Sequence, residues 1–169
     1  MNKLQKYLSK PLPVQPHLLR YFKQDDPLVI FDIGACEGED SIRYAKLFPN
    51  AKIYSFEPLP SNFVKATSNI KDFEIKNVQL QNLALSANNG KADFYTSSGH
   101  PENLENTTEW NYGNKSSSLL QPGKVKDVFN WLKFNEVVQV ETMKLETFCE
   151  ENSIATIDYI HMPGFACSG

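Results

Sequence analysis

Apolar and polar positions along the first half of the chain predict strands and helices in turn. A short apolar run at 28–31 is typical of a buried strand, and it ends at Asp32. Beyond a glycine-containing turn, apolar residues recur at helical spacing from Ile42 to Phe48. The elements predicted for this half are strands at 28–31, 52–56 and 78–85, with helices at 40–48 and 61–70 between them. Strands that alternate with helices predict an α/β fold with a doubly wound parallel sheet.

The second half of the chain has further strand patterns around a long polar segment. The predicted elements are strands at 91–96, 137–142 and 157–162 and a short helix at 145–149. Residues 97–123 are polar, and a loop of this length in a compact domain is usually functional or mobile. Its aromatic residues Trp110 and Tyr112 either stack on a substrate ring or anchor the loop to the core, of which the second is more frequent.

The pattern divides the chain into three regions. Residues 1–26 contain two short apolar faces interrupted by prolines, which predicts a helical segment lying against the sheet as a lid or packing element. A partner-binding segment is the less favoured alternative. Residues 27–162 form the predicted α/β domain, and residues 163–169 form an atypical terminus.

The turn after the first strand is the candidate ligand site. It reads Asp32-x-Gly34-x-x-x-Gly38, and its glycines allow a tight turn and the close approach of a ligand. A dinucleotide-binding turn reads G-x-G-x-x-G and holds a pyrophosphate at the helix N-terminus. Here the helix start is acidic, which disfavours a pyrophosphate but suits S-adenosylmethionine, whose sulfonium and ammonium groups are cationic. The acids at the helix start are Glu37, Glu39 and Asp40. The alternatives for this turn are a glycine turn without a ligand and the turn of a nicotinamide-dependent oxidoreductase.

The ends of the second and third strands extend the candidate site. Glu57, followed by Pro58, ends the second strand about twenty residues beyond Gly38, where a Rossmann-like unit places the acid that accepts from the ribose hydroxyls. We expect an acid at a strand end to make few packing contacts. Ala84 and Leu85 end the third strand, where they either cover the adenine or pack in the core.

Composition narrows the class of protein. The 169 residues carry a net charge of −3, which argues against non-specific nucleic-acid binding. No apolar run approaches the roughly 18 residues of a membrane span, and no secretory signal is evident. The three cysteines are scattered without metal-ligand spacing, which is typical of a cytoplasmic protein.

Taken together, these motifs resemble the FkbM-type S-adenosylmethionine-dependent methyltransferases. The matching segments are FDIGACEG at 31–38, YSFEP at 54–58, NLALS at 82–86, SSSL at 116–119, VETMKLETF at 140–148 and IDYIHM at 157–162. The resemblance implies a class I methyltransferase fold and transfer of a methyl group to a hydroxyl of a sugar or natural product. It places the last strand beside the first. The expected cofactor-binding residues are Asp32, Gly34, Ala35, Gly38, Glu57, Pro58, Ala84 and Leu85.

Two departures from the family pattern bear on activity. Cys36 replaces a middle glycine that many class I methyltransferases have, at a position where this family varies. After 157–162 the family continues with an acidic turn and further strands, whereas this chain has Pro163-Gly164-Phe165. We therefore expect a sheet truncated after its fourth core strand, with self-association and little activity, or a cofactor-binding fragment without catalysis. No catalytic residue is assigned, because His161 lies in a predicted buried strand and is expected to be packed.

Overall fold

The fold comes from a computed structural model, which describes residues 3–101, 113–123 and 129–162. The helices are α1 (Lys3–Leu8), α2 (Gln15–Leu18), α3 (Glu39–Leu47), α4 (Pro60–Asp72) and α5 (Leu145–Glu151), with a 3-10 helix at Gly113–Ser116. The strands are β1 (Val29–Ile33), β2 (Lys52–Phe56), β3 (Val78–Gln81), β4 (Ala84–Leu85), β5 (Gly90–Ser98), β6 (Lys133–Met143) and β7 (Tyr159–His161). Trp110, Tyr112 and the terminus at 163–169 lie outside the described residues.

The central sheet is parallel in its described part, with the strand order β3-β2-β1-β7. Helices α3 and α4 connect β1 to β2 and β2 to β3, which confirms the predicted Rossmann-like α/β fold. The last strand lies beside the first, since Phe31 pairs with Ile160. It is shorter than the predicted 157–162 and covers only Tyr159–His161.

Alternate residues of β1 and β2 enter the two opposite faces of the sheet, as expected of buried parallel strands. Ile30 and Ile53 pack on the face covered by α3 and the N-terminal segment. Phe31 and Phe56 pack on the other face, where the ring of Phe148 in α5 lies edge-on to Phe56 with centroids 4.8 Å apart. The central sheet therefore lies between a layer formed by α3 with the N-terminal segment and a layer that contains α5.

The described part of the N-terminal segment packs against α3. Leu12 and Leu18 are buried in the same cluster as the apolar face of that helix. The guanidinium of Arg43 in α3 donates to the carbonyl oxygens of Lys10 and Pro11 at 2.8 and 3.2 Å. The described part of the N-terminal segment is therefore a packing element on α3, the helix that covers this face of the sheet.

The predicted strand at 78–85 is wrong as a single element. The chain leaves the central sheet after Gln81, and Ala84 pairs with Thr142 in a second sheet of order β4-β6-β5. Asn82 turns the chain, because its side-chain amide donates to the carbonyl oxygens of Glu57 and Pro58 at 2.8 and 3.0 Å. The break therefore lies directly beside the end of β2.

Helix α4 begins one residue before the predicted helix at 61–70. Leu59 is the N-cap and makes no side-chain cap bond, and Pro60 occupies the first turn. Proline is favoured there because its fixed φ suits the helix and its missing N–H would have no helical partner. Asn62 is buried, with its amide 3.9 Å from the Cys36 sulfur.

Candidate functional site

The turn between β1 and α3 is held tightly against the end of β2. Gly34 (φ 83°), Cys36 (φ 52°) and Gly38 (φ 81°) have left-handed backbone conformations, which glycine adopts without strain. The backbone N–H groups of Gly34 and Ala35 both donate to the carbonyl oxygen of Phe56 at 2.9 Å. The sequence-predicted glycine turn is thus placed at the carboxyl ends of two adjacent parallel strands.

A side chain at Gly38 would press on helix α4. A Cβ atom there would lie 3.3 Å from the Cβ of Ala66, tighter than an ordinary van der Waals contact. Glycine at this position therefore serves both the backbone conformation and the close packing of the turn on α4.

Glu57 joins the turn to the end of β2. Its Oε2 accepts from the backbone N–H of Cys36 at 2.8 Å, and its Oε1 accepts from that of Leu59 at 2.9 Å. Only 4% of the residue is exposed, so the expectation of few packing contacts is wrong. Burial raises the pKa of this carboxyl to about 7, against the lowering effect of the two backbone hydrogen bonds. The Asn62 side chain also hydrogen-bonds to this carboxylate, and because a carboxylate has about four acceptor positions, the group retains acceptor capacity toward a ligand.

Asp32 is the centre of a buried hydrogen-bond network at the end of β1. One carboxylate oxygen accepts from the hydroxyl of Ser41, which in turn accepts from that of Ser55 at 2.8 Å. The other accepts from Nδ1 of His161 at 2.9 Å. Burial alone would lower the pKa of His161, but the hydrogen bond and charge of Asp32 outweigh it and raise that pKa. The predicted burial of His161 holds only in part, since its side chain is 20% exposed and forms an ion pair when protonated.

The acidic start of α3 is partly neutralised by two cations, one from α3 itself and one from a distant segment. Asp40 accepts from the Tyr7 hydroxyl and pairs with Arg43, each at 3.1 Å. Glu39 is buried, accepts from the backbone N–H of Glu37 at 2.9 Å, and pairs with the ammonium group of Lys115. Sequence reasoning missed Lys115, although it directly precedes the SSSL segment at 116–119 that belongs to the family pattern.

The remaining predicted site residues lie near the turn but also serve packing. Pro58 is buried directly after Glu57. Ala84 is buried in a cluster with Leu59, and Leu85 packs partly buried on the cluster around Phe31. The core contacts of these residues are thus observed, and their contact with an adenine ring stays a prediction.

The residues at the turn fit S-adenosylmethionine by their chemistry. Gly34 and Gly38 place no side chain beside the strand ends, and the buried Glu57 carboxylate is an acceptor suited to ribose hydroxyls. The acidic helix start suits a cationic sulfonium and ammonium group. Within 3–101, 113–123 and 129–162, no three His, Cys, Asp or Glu side chains are placed to hold a metal ion. None of the helices in those ranges is long and apolar enough to cross a membrane.

Comparison with known proteins gives a family match over most of the chain. Residues 32–162 match the family described as "Methyltransferase FkbM domain". The chain is 31% identical over 154 residues to the curated 2-O-methyltransferase NoeI of Sinorhizobium fredii (strain NBRC 101917 / NGR234). That alignment covers 91% of this chain and 59% of the relative, so the chain spans little more than half of the relative's length.

Solved structures give partial matches. The precorrin-6y C5,15-methyltransferase of Geobacter metallireducens GS-15 matches with 34% identity and a TM-score of 0.35, over 40% of this chain and 36% of that chain. A SAM-dependent methyltransferase from Aquifex aeolicus matches with 16% identity and a TM-score of 0.34, over 48% of this chain and 47% of that chain.

Proposed function

Because the chain belongs to the FkbM methyltransferase family, we propose that it binds S-adenosylmethionine at the β1–α3 turn and catalyses O-methylation of a small-molecule acceptor. The acceptor class proposed is a hydroxyl of a sugar or natural product. We further propose that residues 27–162 constitute the cofactor-binding domain.

The observation that carries the proposal is the hydrogen bond from the Cys36 backbone N–H to the Glu57 carboxylate at 2.8 Å. It brings the acid at the end of β2 against the glycine turn at the end of β1. A ligand with an adenosine at one end and an amino acid at the other would span these two positions. The acids at the start of α3 would disfavour a nicotinamide dinucleotide, whose pyrophosphate is negative.

The cofactor, when bound, supplies a methyl group on a cationic sulfur. The task of the protein is then to orient the acceptor oxygen in line with that methyl group and to provide for removal of the hydroxyl proton. In this chain the glycine turn and Glu57 hold positions from which they would orient the two ends of the cofactor. The name of the relative, a 2-O-methyltransferase, supports an oxygen as the methyl acceptor.

Isothermal titration calorimetry with S-adenosylmethionine, S-adenosylhomocysteine and NAD tests the cofactor. We expect both adenosyl ligands to bind and NAD not to bind. Gly34→Val is expected to abolish binding, because a branched side chain would strain the left-handed backbone and fill the space next to the ligand. Cys36→Gly is the matched control in the same turn and should keep its affinity. Tighter binding of NAD than of S-adenosylhomocysteine would contradict the proposal.

A methyl-transfer assay tests the reaction. The chain is incubated with labelled S-adenosylmethionine and a panel of saccharides and small hydroxyl compounds, and transferred label is counted against a Gly34→Val control. Label transferred to a hydroxyl acceptor supports the proposal. Cofactor binding without transfer to any acceptor would instead favour the alternative of a cofactor-binding chain without catalysis.

A further inference from the structure

The 3-10 helix at Gly113–Ser116 brings a lysine to the β1–α3 turn from a distant part of the chain. The ammonium group of Lys115 pairs with the Glu39 carboxylate and lies 3.6 Å from the sulfur of Cys36. Cys36 belongs to the glycine turn, and Glu39 is the first residue of α3. Lys115 is therefore a cation placed at the proposed cofactor site.

Hydrogen bonds between serine hydroxyls and the backbone, centred on Ser97 of β5, determine where this helix lies. The Ser97 hydroxyl donates to the carbonyl oxygen of Gly113 and accepts from the backbone N–H of Ser116 at 3.1 Å. The backbone N–H of Ser97 donates to the hydroxyl of Ser117 at 2.9 Å. A Cβ atom at Gly113 would overlap the carbonyl carbon of Ser98, so only glycine permits this approach. The position of Lys115 is thus set by the sheet rather than by its own side chain.

The charges around Lys115 match an α-amino acid group. Partial burial would lower the pKa of Lys115, but the negative charge of Glu39 outweighs it, so that pKa lies above its ordinary value. Burial raises the pKa of the Cys36 thiol to about 12, so the sulfur is neutral. In the contact between Lys115 and Cys36, only the ammonium group of Lys115 is therefore charged. Lys115 and Glu39 consequently present a cation and an anion side by side at the turn.

From this geometry we propose that Lys115 binds the carboxylate of the amino-acid end of S-adenosylmethionine. The inference rests on the proposed function and deepens it. The amino-acid end carries a carboxylate and an ammonium group on one carbon, and Lys115 and Glu39 offer the complementary charges. An ammonium has three N–H donors, so Lys115 can donate to Glu39 and to a ligand carboxylate together. The remaining acids at the helix start would repel that carboxylate, which makes the contribution of a cation there large.

The test compares two ligands that differ only in the carboxylate. S-adenosylhomocysteine has the group, and S-adenosyl-3-thiopropylamine, its decarboxylated analogue, lacks it. Calorimetry is run with the unsubstituted chain, Lys115→Met and Lys115→Arg. Lys91→Met is the control, since Lys91 forms an exposed ion pair with Glu141 between β5 and β6. Circular dichroism melts report whether each variant folds.

We expect Lys115→Met to weaken S-adenosylhomocysteine binding by about 10- to 100-fold, as for loss of a charged hydrogen-bond partner. Its affinity for the decarboxylated analogue should change by less than about twofold, and Lys115→Arg and Lys91→Met should both retain most of their affinity. Equal losses for both ligands would overturn the inference, because Lys115 would then act on the turn as a whole. Unchanged binding of S-adenosylhomocysteine to folded Lys115→Met would overturn it as well.

The unsubstituted chain provides a test that does not depend on the folding of a variant. If Lys115 binds the carboxylate, this chain should prefer S-adenosylhomocysteine over the decarboxylated analogue, and equal affinities would overturn the inference alone. Failure of the unsubstituted chain to bind either ligand would instead overturn the proposed function and the inference with it. The two failures are thereby distinguished.

Discussion

Nδ1 of His161 and Oδ1 of Asp32 are 2.9 Å apart, so a hydrogen bond joins the carboxyl ends of the neighbouring strands β7 and β1. The two residues are also register partners in the parallel pairing of these strands. The ring of His161 lies against that of Tyr44 in α3, with centroids 5.4 Å apart. A titratable side chain is therefore positioned by two strands and a helix at the edge of the sheet that carries the proposed cofactor site.

The His161–Asp32 pair predicts a stability that depends on pH. The folded chain raises the pKa of His161 above 6.5, through Asp32 and to a lesser degree Asp40, although burial opposes the shift. The folded state thus keeps a proton that the unfolded state loses. This contribution to the free energy of unfolding is full below pH 6.5 and is lost as pH rises through the folded pKa.

Urea unfolding of the unsubstituted chain and His161→Asn across this range measures the effect. The difference in the free energy of unfolding between the two should shrink as pH rises. Taking the difference removes the contribution of Glu57, which titrates with the same sign. Parallel curves would contradict the role given to the pair.

Glu57→Ala is expected to destabilise the fold as well as to weaken cofactor binding. Its carboxylate accepts from the backbone N–H groups of Cys36 and Leu59, and removal leaves both without this acceptor in a buried place. An unsatisfied buried donor costs about 1–3 kcal/mol. Glu57→Gln should cost less, because an amide oxygen can still accept one of the bonds. Equal unfolding free energies for the unsubstituted chain and Glu57→Ala would show that these hydrogen bonds do not stabilise the turn.

Cofactor affinity is expected to increase as pH rises through about 7. Burial raises the pKa of Glu57 to about 7, and only the ionised carboxylate offers both oxygens as acceptors to the ribose hydroxyls. Below that pH, affinity should fall by up to about tenfold per pH unit, because binding must then displace a proton. Calorimetry with S-adenosylhomocysteine at several pH values gives the slope. Glu57→Gln should bind more weakly and without this slope, and an identical slope in that variant would assign the titration to another group.

Gly38→Ala is expected to lower the free energy of unfolding by about 1–3 kcal/mol. The substitution forces alanine into φ 81° and places its Cβ 3.3 Å from that of Ala66. Adding Ala66→Gly removes the crowding but not the backbone strain, so the double variant should recover only part of the loss attributable to Gly38→Ala. Gly123→Ala is the control, since a Cβ there meets no atom of the described residues within 4 Å. If Gly38→Ala and Gly123→Ala lower the free energy of unfolding by similar amounts, the loss does not arise from strain or crowding at the turn.

Several features of this protein are determined by residues close together in the sequence. The apolar run before Asp32, the glycine spacing and the helical spacing that follows predict β1, the turn and α3, and all three are observed. The same reasoning predicts that Glu57 at the end of β2 lies next to the turn, and the structure brings them together. These predictions succeed because strand alternation, helical periodicity and the crossover rule of βαβ units act over short stretches of chain.

Tertiary structure alone decided how distant segments meet at the same site. The alternation of apolar and polar residues at 78–85 does not show that the chain changes sheets after Gln81, because that break depends on the hydrogen bonds from Asn82 to the end of β2. Lys115 at Glu39 and His161 at Asp32 join residues 76 and 129 positions apart. Such contacts depend on which strands pair and how a long connection folds back. Local periodicity carries no information on either, so the charges that complete the proposed cofactor site follow from strand pairing.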